Sequence, residues 1–166
     1  MKGRARKASS LRNTKGAIFI TEIGPALYLL LICFFFPLLN VMSLGFVYGC
    51  GYYLNYFQSL QCASVPKSEA AQPSGMVKFG IPQQWKSVGL GRFAQLIGDP
   101  TTTITYKNGQ LESNGVQDMD VILSTTITTK PWISVPALPG IPGLSAPVTF
   151  TYVSERPMEN PDDANS

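Results

Sequence analysis

The chain has 166 residues, of which only 14% are charged and none is histidine. A typical soluble domain has ~25% charged residues, and the shortfall here comes mainly from residues 23–66, which carry no charge. The absence of histidine removes the commonest general base and metal ligand near neutral pH, and the three cysteines match no zinc-binding pattern. We therefore predict no enzyme, no cofactor and no metal site.

Residues 1–16 are predicted to form a basic cytoplasmic leader. Six of the 13 basic residues lie before Gly16, and no acidic residue does. The rest of the chain carries 7 basic and 10 acidic side chains, so the net charge of +3 comes from the leader. The sequence gives no reason to expect a nucleic-acid surface on the domain.

Residues 17–64 are predicted to form a transmembrane helix that continues beyond the membrane. A span needs about 20 largely apolar residues, and the stretch IGPALYLLLICFFFPLL at 23–39 begins one. The basic leader places the N-terminus in the cytoplasm and the C-terminal domain outside, in a single-pass protein of the cytoplasmic membrane. A cleaved secretory signal peptide is the competing interpretation, but the apolar segment is long and no small-residue cleavage site directly follows.

The second half of this helix, residues 40–64, alternates apolar and polar side chains at spacings of three and four, which predicts one apolar face. Its tyrosines could form an interfacial aromatic belt. Gly45 and Gly49 form a small-xxx-small pair that permits close packing of another helix. A helix separates Cys50 from Cys62 by about 18 Å, too far for a disulfide unless the chain bends.

Glu22 stands at the edge of the apolar run and has two interpretations. A carboxylate in the first helical turn is stabilised by the helix dipole, with Thr21 as a candidate N-cap. Alternatively, an acid at the membrane edge is functional and requires a cationic partner. The positive α-amine of a neighbouring, processed subunit would be such a partner.

The remaining residues are predicted to form a linker over 65–84, an extracytoplasmic domain over 85–158 and a polar tail over 159–166. A short helix is expected within 85–99. Strands are expected at 101–106, 120–129, 131–135 and 147–153, with Asn108-Gly109 as a hairpin turn. The expected fold is α+β: a long N-terminal helix followed by a small antiparallel sheet with a short helix. Asp118 and Asp120 are interpreted as solvated acids rather than a cation site.

The N-terminal third resembles the TadE/TadG-like pseudopilins of tight-adherence (Flp-type) pilus systems. Their pattern is a basic leader, a Gly-Ala pair, a few apolar residues, a glutamate and an apolar helix containing proline. This chain has Lys15-Gly16-Ala17, then Ile18-Phe19-Ile20-Thr21-Glu22, then a helix with Pro25 and Pro37. Near the C-terminus, a Pro/Gly-rich stretch, a last strand and Glu155-Arg156 resemble the closing segment of the same family.

The resemblance implies a minor pilin that assembles through its N-terminal helix. It implies a processing site for a prepilin peptidase at Gly16, Ala17 and Ile18, and a register-setting role for Glu22. Cleavage after Gly16 would make Glu22 the sixth mature residue, whereas cleavage after Ala17 would make it the fifth, which is the usual position. The implied partners are other pilins and the pilus assembly platform. The alternative is an anchored extracytoplasmic binding module that has no role in pili.

Overall fold

The computed structural model describes residues 23–111, 117–134 and 139–159. A helix, α1, runs over Ile23–Ser64, and short helices α2 and α3 cover Lys67–Ala70 and Ile81–Ser87. A 3-10 turn at Leu90–Phe93 precedes three strands: β1 (Thr101–Leu111), β2 (Gln117–Thr129) and β3 (Val148–Pro157). The strands form one antiparallel sheet in the order β1-β2-β3. The expected α+β arrangement of a long apolar helix and a small antiparallel sheet is confirmed.

Helix α1 contains a π-helical turn at Leu31–Phe35, where the N–H of Phe36 donates to the carbonyl of Leu31. Pro37 explains the position of this turn, because it has no N–H to donate to the preceding turn and its ring crowds that turn. The helix ends at Ser64, since Val65 is extended (φ −118°, ψ 156°) and the following proline disfavours a helical conformation there.

The strands match the expected positions except at the hairpin. Asn108 pairs with Met119 and Leu111 pairs with Gln117, with a shift in register between the two pairs. Asn108 and Gly109 therefore lie within β1 at an irregularity, and the prediction of a turn at this dipeptide is wrong. The connection between β1 and β2 falls at 112–116, outside the described residues. Residues 131–134, part of another expected strand, are not in a strand either.

Residues 65–84, interpreted from the sequence as a linker, carry α2, a π-helical turn at Met76–Gly80 and the start of α3. Ala70 and Val77 from this segment are buried against the sheet and the end of α1. The short helix expected within 85–99 begins earlier, at Ile81, and buries Trp85. Trp132, in the segment that follows β2, is exposed.

The core lies between α1 and one face of the sheet, in two clusters. Val121, Leu123 and Ile127 from β2 are almost completely buried there. The cluster near the end of α1 comprises Cys62, Ala63, Ala70, Val77, Val121, Leu123 and Met158. The cluster nearer the middle of α1 comprises Val47, Cys50, Leu54, Trp85, Ala94, Ile127 and Tyr152. Both Cys50 and Cys62 are free thiols, one in each cluster.

Gly51 allows this close approach of helix and sheet. A Cβ atom at this position would lie 2.5 Å from the hydroxyl oxygen and 2.6 Å from ring atoms of Tyr152. Tyr152 is buried and cannot move without disturbing the core. We expect Gly51→Ala to lower the free energy of unfolding by about 1–3 kcal/mol, as is usual for overpacking. Thermal unfolding followed by near-ultraviolet circular dichroism measures it, and an unchanged melting temperature would contradict the tight contact.

Candidate functional site

The inner and outer faces of helix α1 differ from those of an ordinary amphipathic helix in their balance of polar and apolar side chains. The sequence analysis expected one apolar face on residues 40–64, and five of the buried side chains on this helix are polar. The buried residues are Asn40, Ser43, Val47, Cys50, Gly51, Leu54, Asn55, Gln58, Ser59, Cys62 and Ala63. Most of the large apolar and aromatic side chains are exposed on the outer face instead. The inner face of this helix therefore mixes polar side chains with apolar and small ones, while most of the large apolar side chains stay outside, which differs from the usual amphipathic pattern.

A connected set of hydrogen bonds explains how the polar face is buried. The Asn55 Nδ2 donates to Thr125 Oγ1 (3.2 Å) and to the carbonyls of Leu123 and Tyr152 (both 3.3 Å). Thr125 Oγ1 donates in turn to Gln58 Oε1 (2.8 Å). The two amide side chains thus contact β2 and β3 together, and a buried amide is stable only with such partners.

Gln58 also binds the helical segment that follows α1. Its Nε2 donates to the carbonyl of Val77 (2.6 Å) and to Thr102 Oγ1 (2.8 Å). Gln58 has no exposed surface. One side chain therefore joins α1, the segment before α3 and strands β1 and β2.

Asn40 makes the first contact of α1 with the rest of the domain along the described chain. Its Nδ2 donates to the carbonyl of Ile133 (2.6 Å), and its Oδ1 accepts from the N–H of the same residue (3.0 Å). Asn40 is the first buried side chain of the helix, and residues 23–39 before it are exposed or half-buried. The helix over Ile23–Ser64 is long and apolar enough to cross a membrane, and its first part projects from the globular part.

The outer face of α1 is an exposed apolar surface that extends along the helix. Tyr53 and Phe57 stack edge to face on it, with ring centroids 4.5 Å apart. The other large apolar side chains exposed along α1 are Ile23, Leu27, Tyr28, Leu29, Leu30, Phe34, Phe35, Leu38, Val41, Met42, Phe46, Tyr48, Tyr52, Tyr56 and Leu60. A continuous apolar surface of this size indicates contact with lipid or with another protein.

Gly45 and Gly49 lie on this outer face. A Cβ atom built on either glycine would have no neighbour within 4 Å. The space above them is open, in contrast to Gly51, whose Cβ would meet Tyr152. A helix from another molecule could therefore approach the backbone of α1 at this point, as the sequence pattern predicts.

The outer face continues into a groove of about 680 Å³ beside the end of α1. Phe57 and Leu60 belong to both the helix face and the groove, and exposed Val88 and Leu90 from the segment after α3 form the opposite wall. The groove and the outer face of α1 form one surface, which we call the apolar docking face. It comprises the exposed apolar side chains given above together with Met76, Ile81, Val88 and Leu90 from the lining of the groove.

Two ion pairs of the domain lie outside this surface. Lys107 Nζ is 3.0 Å from Glu155 Oε1, and the hydrogen bond and charge of Glu155 raise the pKa of Lys107. Lys86 Nζ contacts Asp99 Oδ1 at 2.6 Å, and this contact lowers the pKa of Asp99. Burial, with the Cys62 thiol beside the ring, raises the pKa of Tyr106 to about 12. Among the described residues, no group of three or more His, Cys, Asp or Glu side chains could hold a metal ion.

The described part of the structure includes only some of the functional residues that were predicted from the sequence. The processing residues Gly16, Ala17 and Ile18 and the acid Glu22 lie outside the described residues, and the predictions for them stay predictions. Sequence reasoning missed the roles of Asn40, Asn55 and Gln58. The polar side chains at spacings of three and four were visible, but their pattern alone does not tell which face of the helix is buried.

No family model, curated protein or solved structure matches the chain.

Proposed function

We propose that the protein is a membrane-anchored minor pilin of the TadE/TadG-like class, with a structural role in a tight-adherence pilus. The resemblance of residues 12–65 and 131–160 to that class suggests the role. The observation that carries it is the orientation of α1, whose inner side holds the domain through polar and small apolar side chains while most of its large apolar side chains stay exposed for other helices.

The physical argument rests on the division of α1 into two parts. Residues 23–39 project from the domain and are apolar on all sides, so they can remain in the cytoplasmic membrane. Residues 40–64 hold the domain through Asn40, Asn55 and Gln58. Because these three side chains occupy the inner face, the outer face can contact neighbouring helices without loss of the fold.

In this proposal the apolar helix lies among other pilin-type helices. Lipid solvates an isolated apolar helix well, so hydrophobicity alone does not drive association within a membrane. Close packing at Gly45 and Gly49 and an ion pair at Glu22 would supply the attraction and the register. The partner of Glu22 would be the α-amine of a neighbouring subunit, which prepilin peptidase creates by removing a basic leader.

The test is the intact mass and N-terminal sequence of the protein from its own membranes, with and without the prepilin peptidase. We expect a peptidase-dependent start at Ala17 or Ile18, since cleavage there exposes the amine that Glu22 requires. A start at Met1 or Lys2 in both strains would contradict processing. The protein would then be a permanently anchored extracytoplasmic module, in which Glu22 marks the start of the helix.

A further inference from the structure

A second groove, of about 400 Å³, lies between α1 and strand β3. Its helix wall contains Tyr52, Asn55, Tyr56 and Ser59, and its strand wall runs from Val153 to Pro157. Strand β3 is at the edge of the described sheet and pairs only with β2. Edge strands carry unpaired N–H and C=O groups, to which an extended peptide can add as a further strand.

Arg156 lies in this groove and is held in place from two sides. Its Nε donates to Ser59 Oγ at 2.9 Å, and its guanidinium lies 4.8 Å from the centre of the Tyr56 ring. None of the carboxylates in the described part of the chain pairs with it, and the adjacent Glu155 pairs with Lys107. A guanidinium fixed through Nε keeps its two Nη groups free, and these match a carboxylate in bidentate geometry.

Ser154 supplies an independent indication of a ligand at the same place. It lines the groove, and its hydroxyl oxygen is buried without a hydrogen-bond partner among the described residues. Side chains two residues apart in a strand point to the same face, so Ser154 and Arg156 both point toward α1. A buried hydroxyl without a partner is costly, and a peptide that opens the groove far enough to expose this oxygen would provide the missing hydrogen bond.

The distance of the groove from the membrane argues against a lipid headgroup as the anion that Arg156 binds. Ser59 is 19 residues beyond Asn40 on the same helix, which corresponds to about 30 Å along the axis. With residues 23–39 in the membrane, the groove stands well beyond the reach of phospholipid phosphates. An anion that binds Arg156 would then come from outside the membrane.

We propose that this groove binds an extended acidic peptide segment of a partner protein. The peptide adds a fourth strand along β3 and places a carboxylate on the guanidinium of Arg156. The charge of Arg156, the free edge of β3 and the unpaired Ser154 hydroxyl all fit this ligand. The proposal rests on the membrane anchoring of residues 23–39 in the proposed function, but not on a role in pili.

The test uses the full-length protein in nanodiscs of zwitterionic lipid and a fluorescein-labelled probe followed by fluorescence anisotropy. The probe is an acetylated and amidated octapeptide of alternating threonine and valine with one central glutamate. We expect Arg156→Gln to weaken binding by about tenfold or more, because a charge-assisted pair is lost. The matched control is Arg92→Gln, which removes an exposed cation outside the groove and should bind the probe as the wild type does.

Two further probes and one further variant separate binding from folding. A probe with glutamine in place of glutamate should also bind about tenfold more weakly, and a probe with alternate backbone nitrogens methylated should not bind. Ser154→Ala should weaken binding several-fold without lowering the melting temperature, because the hydroxyl has no partner in the free protein. A structural role alone would not weaken binding in a variant whose melting temperature is unchanged.

Three results would overturn the proposal. The first is equal affinity of Arg156→Gln and Arg92→Gln for the probe, and the second is equal affinity of the glutamate and glutamine peptides for the wild type. The third is tighter binding of the probe to the Asp162→Asn, Asp163→Asn double variant than to the wild type. That result would assign Arg156 to the acidic C-terminal tail of this chain rather than to a partner.

Discussion

Replacement of Gln58 by leucine is expected to lower the free energy of unfolding by about 3 kcal/mol. Leucine has similar volume and good helix propensity, so the change removes polar groups rather than packing. It leaves the carbonyl of Val77 and the hydroxyls of Thr102 and Thr125 without the partners they have now. Each buried polar group left unpaired costs about 1–3 kcal/mol, partly offset by the added apolar burial.

The measurement is thermal unfolding in detergent micelles, followed by the fluorescence of Trp85 and Trp132. A loss of about 3 kcal/mol corresponds to a fall of roughly 10 °C in melting temperature for a domain of this size. Gln61→Leu is the matched control, since Gln61 lies one turn further along the same helix and is only half-buried. Equal melting temperatures for the two variants would show that the hydrogen bonds of Gln58 do not hold the helix to the sheet.

The elements of the fold follow from local sequence patterns. The uncharged stretch from residue 23 predicts the long helix, and Pro66 predicts its end near Ser64. The alternation of Val121, Leu123 and Ile127 with threonines predicts β2 and the side of it that is buried. These predictions succeed because period and composition are local properties, which do not depend on the partner of each element.

The orientation of α1 could not be predicted in the same way. Periodicity shows that a helix has an apolar face and a polar face. The apolar face is the inner one only where water covers the outside of the helix. Where lipid or another helix covers the outside, that rule no longer holds. The inner face is then decided by specific partners such as the Asn55–Thr125 contact, whose members are 70 positions apart.

The β1–β2 hairpin shows a different limit of prediction from the sequence. Asn-Gly is a strong local turn sequence, but the pairing of Asn108 with Met119 carries β1 past it. Cross-strand pairing along 101–108 outweighs the preference of two residues, and the dipeptide is accommodated as an irregularity in the strand. The processing site and Glu22 could be predicted only through resemblance, because neither composition nor periodicity identifies a peptidase site.

The orientation of α1 also predicts that its outer face serves association rather than folding. The domain is attached by hydrogen bonds on the inner face, so substitutions on the outer face should change association without changing the fold. Within a membrane, helices associate through close backbone approach at small residues rather than through apolar area. Of the outer-face positions, Gly45 and Gly49 allow the closest approach, because no described atom outside their own helix lies within 4 Å of a Cβ built there.

A double variant with leucine at Gly45 and Gly49 is therefore expected to fold normally and to lose assembly. Its melting temperature should stay the same or rise, because leucine favours a helix by up to about 1 kcal/mol per position relative to glycine. Crosslinking to partner proteins in native membranes, from a photoreactive group at the exposed Phe46, should fall by about tenfold or more. The double alanine variant is the control, since alanine keeps a small surface and should retain most of the crosslinking. Two leucine side chains would keep any helix at a distance from the backbone of α1 at this point. Undiminished crosslinking by the leucine variant would therefore show that partners contact another part of the apolar docking face.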